Sequence, residues 1–109
     1  STEAFAVGSL ADELEIRAWE PGDRMVPFGW SAAAKLQDLF GAARVPRWGR
    51  RRCPVVVSAG SIVWVPGLRR AEVGRVVPGA GAVVLRCRDL AVGGVVDSGL
   101  AGDESPSWR

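Results

Sequence analysis

The chain has 109 residues, the size of one domain, and at 48% apolar and 24% charged it has the composition of a globular protein with no apolar run near the roughly 20 residues that span a bilayer. Two cysteines and no histidine leave neither a disulfide framework nor a zinc-type ligand set, and without histidine or tyrosine the commonest general base is missing. The net charge of +2 conceals segregation: residues 1–23 carry six acids against Arg17, whereas residues 35–75 carry nine basic residues against Asp38 and Glu72.

EAFAV and ELEIRAW read as two strands joined through GSLAD. In the second, Leu14, Ile16 and Ala18 alternate with Glu15, Arg17 and Trp19, the period of a strand with one wet face. Pro21-Gly22-Asp23 forces a turn, and RMVPF follows as a short extended piece. Ser31 is the expected N-cap of a helix over AAAKLQDLF. That helix would bury Ala32, Leu36, Leu39, Phe40 and Ala43, with Lys35 and Asp38 paired on the opposite side. Gly41 is placed to end it in a left-handed cap, unless Ala42 and Ala43 extend it.

The stretch RVPRWGRRRCPVVV then puts five arginines within nine residues, directly before a run of valines. Pro46 suits the first position of a second short helix, RWGRRR, from which Arg47, Arg50 and Arg51 would project together. PVVVS and SIVWVP flank Ala59-Gly60, a hairpin signal, and SIVWV is apolar on both faces, as expected of a strand covered on both sides. GRVV and AVVLRCR read as a further strand pair. Residues 1–90 therefore form the expected domain, predominantly β with one or two short helices. Residues 91–109, rich in Gly, Ser and acid, read as a flexible tail.

Candidate chemistry is sparse. Cys53 beside Arg52 is a conceivable thiolate, but no histidine is present to partner it, and both Cys53 and Cys87 read as buried thiols in a reducing compartment. PGAGAVV lacks the third glycine and the lysine of nucleotide loops and reads as a turn. The informative feature is the basic stretch. A planar guanidinium donates paired hydrogen bonds to phosphate, and Trp48 among the arginines would stack on a base or ribose or pack beneath arginine stems. An RNA backbone, an acidic protein surface and a plain solvated face all remain compatible with it. Trp19 and Trp64 read as core.

The segments EIRAWEPGDRMVPFG, AAAKLQDLFGAARVPRWGRRRCPVVV and SIVWVPGLR, in that order, resemble the C-terminal domain of the tRNA(Ile)-lysidine synthase family over roughly residues 13–77. The resemblance implies a small layered β-sandwich with a helix packed on it, a domain shared with the β chain of phenylalanyl-tRNA synthetase. It implies a parent ligase that adenylates the wobble cytidine of tRNA(Ile) with ATP and joins lysine to it. In the family the ATP and Mg site belongs to an N-terminal domain carrying Ser-Gly-Gly-x-Asp-Ser, so no cofactor is expected in this chain. Gly93-Gly94-Val95-Val96-Asp97-Ser98 lacks the leading serine and has one residue too many before Asp97, and reads as coincidence.

The chain opens on STEAF without methionine and is expected to be a piece of a longer, cytoplasmic protein. The expected partners are tRNA(Ile), through its acceptor stem, and the parent's upstream domains, with no membrane. Matched to the family motifs, Arg24, Lys35, Arg47 and Arg51 are candidate RNA contacts. Arg44 belongs to the same stretch, and Arg50, Arg52, Arg69 and Arg70 are added on charge. Arg24 has a purely structural alternative, pinning its turn by pairing with Asp23. A module that binds protein rather than RNA is the competing reading of the whole chain.

Overall fold

The computed structural model describes residues 1–88 and 96–101. Its elements, in chain order, are β1 (Thr2–Ala6), β2 (Leu14–Ala18), β3 (Arg24–Met25), β4 (Ala34–Lys35), α1 (Leu36–Ala42), α2 (Arg47–Arg50), β5 (Pro54–Ser58), β6 (Ser61–Val65), β7 (Arg69–Arg70), β8 (Ala82–Cys87) and β9 (Val96–Ala101). They form two antiparallel sheets, β1–β8–β9 and β2–β5–β6–β7, and a small β3–β4 ribbon. No helix among the described residues is long and apolar enough to cross a membrane.

The layering follows from the valine strands. In β5, Val55 and Val57 enter a cluster with Leu36, Leu39 and Phe40 of α1 and with Met25, whereas Val56 enters a second cluster with Phe5 of β1 and Leu85 and Cys87 of β8. Strand alternation thus sends successive valines to opposite faces and makes the β5–β6 hairpin the middle layer, between α1 and the β1–β8–β9 sheet. In β6, Ile62 and Val65 face α1 while both Val63 and Trp64 join the other cluster. The break in alternation has a visible cause. Val56 pairs with Trp64 and Val57 with Ile62, which leaves Val63 as the extra residue of a β-bulge. Trp64 is 1% exposed, so truncating it to alanine would cost about 3–5 kcal/mol. The turn between β5 and β6 has φ of 48° at Ala59 and 82° at Gly60, the two positive values of a type I′ hairpin; glycine takes its value freely and alanine does not.

The structure departs from the sequence expectations at three places. Ser31 does not cap α1. Residues Ala34–Lys35 instead form β4 against β3, and the helix begins at Leu36, whose N–H donates to the Asp23 carbonyl at 2.9 Å. The buried stripe holds at Leu36, Leu39 and Phe40, while Ala32 and Ala43 are exposed. GRVV is not a strand, because both edges of β8 are taken, by β1 on one side and β9 on the other. Gly74 instead accepts the Ala6 N–H at 2.8 Å, and a Cβ at Gly74 would come within 2.5 Å of Ser9 Oγ. Finally, the stretch expected as a tail contains β9, which pairs with β8 from Ala82↔Ala101 to Cys87↔Val96. That part of it is a sheet edge; residues 91–95 and 102–109 lie outside the described residues.

Candidate nucleic-acid interface

The basic stretch is built on the end of α1. The Arg44 N–H donates to the Gly41 carbonyl at 3.0 Å and the Val45 N–H to the Phe40 carbonyl at 2.9 Å, the paired bonds of a Schellman cap, with Val45 packed on the cluster that holds Phe40. The left-handed residue of this cap is Arg44, with φ of 58°, while Gly41, expected there, lies inside the helix. An L-residue in that conformation costs about 1–2 kcal/mol. Pro46 then adopts an extended conformation as the N-cap of α2, one position before the site the sequence suggests. The N–H groups of Gly49, Arg52 and Cys53 donate to the carbonyls of Pro46, Gly49 and Arg50, and Pro54 enters the buried start of β5.

Arg47, Arg50 and Arg51 come together around a cleft of about 320 Å³ whose other walls are Trp19, Pro21 and Gln37. Arg50 is half committed to the fold. Its Nε donates to the Val45 carbonyl at 3.0 Å and its guanidinium lies 5.7 Å from the Phe40 ring centroid. Arg44, Arg47, Arg51 and Arg52 are exposed. Trp48 is 76% exposed and so does not pack beneath arginine stems. Trp19 meets Phe40 edge-on at 5.7 Å, a core contact, and its buried Nε1 has no hydrogen-bond partner.

Among the described residues the ion pairs are Arg17–Asp23, Arg70–Glu3 and Arg75–Glu72. None involves residues 44–52, so the acids of the N-terminal third do not mask the arginine stretch.

Arg24 and Lys35 face each other across the β3–β4 ribbon, both exposed. Like charges placed directly opposite are destabilising. The structural alternative for Arg24 is taken by another residue: Arg17 grips both Asp23 oxygens, at 2.9 and 3.0 Å, and the Glu20 N–H adds a bond at 2.8 Å. Burial would raise the Asp23 carboxyl, but these bonds outweigh it and hold it below the usual carboxylate range. Lys35 makes no ion pair with Asp38.

The remaining two candidates part company. Arg69 is exposed, with its guanidinium 5.6 Å from the Trp30 ring centroid. Arg70 is 9% exposed and turned inward. Its Nε donates to the Ala71 carbonyl at 2.9 Å, Nη2 to that of Val73 at 2.8 Å and Nη1 to that of Ala4, while the guanidinium sits between the rings of Phe5 and Phe28, 4.2 and 4.9 Å from their centroids. This arginine ties β7 to β1 and offers nothing to a surface ligand. Cys53 is no thiolate site either, since burial pushes its thiol up.

Phe28 and Trp30 were not among the candidate residues and are 37% and 47% exposed. Flanking Gly29 in a short loop, they give no periodic signal, and their only mark in the sequence is an occurrence two apart on either side of a glycine.

The chain matches the family model described as the TilS substrate C-terminal domain over residues 14–87. It is 43% identical over 74 residues to a tRNA(Ile)-lysidine synthase of Geobacter sulfurreducens, a match that covers 67% of this chain and 16% of that protein. The chain thus spans about one-sixth of that relative's length. It is similar to a solved structure described as the crystal structure of TILS C-terminal domain, with a TM-score of 0.68, 28% identity, and coverage of 95% of this chain and 72% of that one. An N-terminal fragment of the phenylalanyl-tRNA synthetase β-subunit from Pyrococcus horikoshii is also similar, with a TM-score of 0.56 at 17% identity, over 71% of this chain and 24% of that one. That second likeness is one of fold.

Proposed function

The chain belongs to the TilS substrate C-terminal domain family, and from that premise we propose that it is the tRNA-gripping part of a tRNA(Ile)-lysidine synthase. The residues that would hold the acceptor-stem phosphates are Arg44, Arg47, Arg51 and Arg52, with Arg50 at the base of the cleft and Arg24 and Lys35 as a second pair. One observation carries the reading. Asp23, Glu3 and Glu72 each pair with an arginine elsewhere, yet among the described residues no acid pairs with the densest run of arginines, which stands largely in water. Phosphate is the natural complement of such a set, because each guanidinium offers a planar pair of donors and the summed field draws a polyanion in.

Grips of this kind set register and orientation on an A-form stem, and discrimination comes from where they stand rather than from base edges. The Schellman cap on one side and the buried start of β5 on the other anchor the backbone that carries the arginines.

The test is equilibrium binding of the chain to an acceptor-stem duplex of tRNA(Ile) across a salt series. The reading predicts that log K falls with log salt at the slope of about three to five phosphate contacts, roughly 0.7–0.9 per contact. Binding that is absent at low salt, or that salt does not weaken, would favour an interdomain module meeting protein.

A further inference from the structure

Trp30 is an exposed indole on an anchored loop. The Phe28 N–H donates to the Arg70 carbonyl at 3.0 Å, the Gly29 N–H to Glu72 Oε1 at 2.8 Å and the Trp30 N–H to the Pro27 carbonyl at 2.9 Å. Phe28 carries the guanidinium of Arg75 at 4.0 Å as well as that of Arg70, and Arg75 in turn pairs with Glu72 through two bonds of 2.7 Å. Three successive backbone donors are therefore satisfied, and the loop is pinned on both sides. Its outward product is a ring 47% exposed with one guanidinium, that of Arg69, resting over it. The loop thus presents one broad, accessible indole face on an anchored support, with a cation beside it.

The register of the larger sheet places this ring at the same end of the sheet as the arginine stretch, across β5, β6 and β7 from the cleft wall that follows β2. Ala18 pairs with Pro54 and Val65 with Arg69, while Pro27 bridges Ala71. The entry of α2 into β5, the start of β7 and the Phe28–Trp30 loop thus lie along one end of the sheet. The β5 entry and Arg69 are two strand spacings apart, roughly 10 Å.

We infer that Trp30 and Arg69 form a stacking site for an unpaired nucleotide that continues from the duplex held at α2. The ring takes the face of the base and Arg69 meets the adjoining phosphate. Base–aromatic stacking of this kind tolerates any base, because every base has a π face. The inference rests on the RNA reading of α2 but uses residues outside it.

The experiment compares a blunt acceptor-stem RNA duplex with the same duplex bearing a four-nucleotide extension at its 3′ or its 5′ end. Each is titrated against the 109-residue chain, Trp30→Ala, Trp30→Phe and Arg47→Ala/Arg51→Ala. The unaltered chain should bind one of the extended duplexes about tenfold more tightly than the blunt one. Trp30→Ala should lose that preference and keep its blunt-duplex affinity, Trp30→Phe should retain most of the preference, and the double arginine variant should weaken all duplexes alike. Equal binding of blunt and extended duplexes by the unaltered chain would overturn the stacking site while leaving the phosphate grip standing. So would a preference that survives Trp30→Ala, which would leave the ring available to a protein surface instead. Failure of every duplex to bind would overturn both readings together.

Discussion

Arg70 and the arginines of residues 44–52 carry the same side chain into opposite settings. Arg70 is enclosed between Phe5 and Phe28, with each of its three guanidinium nitrogens donating to a backbone carbonyl and Glu3 3.9 Å away. Burial pulls its pKa down, with Glu3 and Glu72 pulling the other way. Arg47, Arg51 and Arg52 are exposed, and among the described residues no acid pairs with them. The difference teaches that a count of arginines says nothing about their use. A guanidinium whose donors are spent inside the molecule is part of its framework, and one standing in water with its donors unspent has them free for an anion from outside. Arg50 stands between the two, with one donor spent on Val45 and its plane on Phe40.

Substitutions should separate these classes. The largest effect is expected for Arg70→Ala, which leaves the carbonyls of Ala4, Ala71 and Val73 without their donor and opens the Phe5–Phe28 stack. A loss of about 3–5 kcal/mol in chemical denaturation is predicted, with RNA affinity per folded molecule unchanged. Arg50→Ala should cost about 1 kcal/mol of stability and also weaken RNA binding, because it removes a cap bond and a phosphate donor at once. Arg44→Gly should move the two quantities in opposite directions. Glycine relieves the positive φ and should gain up to about 1 kcal/mol, while the lost guanidinium lowers RNA affinity. A melting temperature that falls in Arg44→Gly would contradict the strained cap.

The smallest effect concerns acid. Glu72 is held at about 2 rather than 4.5, first by the Arg75 hydrogen bonds and then by the Gly29 N–H. Because its folded value lies below its unfolded one, the stability it contributes is complete above pH 4.5 and is lost as pH falls toward 2. Glu72→Gln should therefore flatten this part of the acid limb in a series of thermal melts, leaving the share due to Asp23, whose carboxyl is also lowered. An acid limb identical to that of the unaltered chain would place the Glu72–Arg75 pair among surface pairs that contribute nothing measurable.

Much of the scaffold was legible in the sequence. The valine run, the Ala59-Gly60 turn and the two-sided apolar pattern of SIVWV give a hairpin covered on both sides in a layered β fold, as the structure has it, and the Leu36, Leu39, Phe40 stripe identifies the helix on one side of it. What escaped is what distant residues decide. Ser31 looks like a cap, but residues 34–35 pair with β3, and a long-range ladder overrides local helix preference. The partner of β8 at its outer edge comes from 96–101, inside the stretch whose composition reads as a tail.

Within the candidate site, the clustering of Arg47, Arg50 and Arg51 follows from helical spacing and was legible. The opposite fates of Arg69 and Arg70 were also implicit, since adjacent strand residues face opposite sides of a sheet, but only once those residues are known to be a strand. The pairing of Asp23 with Arg17 rather than its neighbour Arg24 depends on how β2 meets the turn, which no local pattern encodes.

The central claim, that unspent arginines on α2 are the phosphate grip, is tested most directly by the salt slope of Arg47→Ala/Arg51→Ala on the acceptor-stem duplex. If each arginine neutralises one phosphate, the slope of log K against log salt should become shallower by roughly 0.7–0.9 per residue removed, with stability unchanged within about 0.5 kcal/mol. A variant that keeps the slope of the unaltered chain would contradict the claim, because the phosphates would then be held elsewhere.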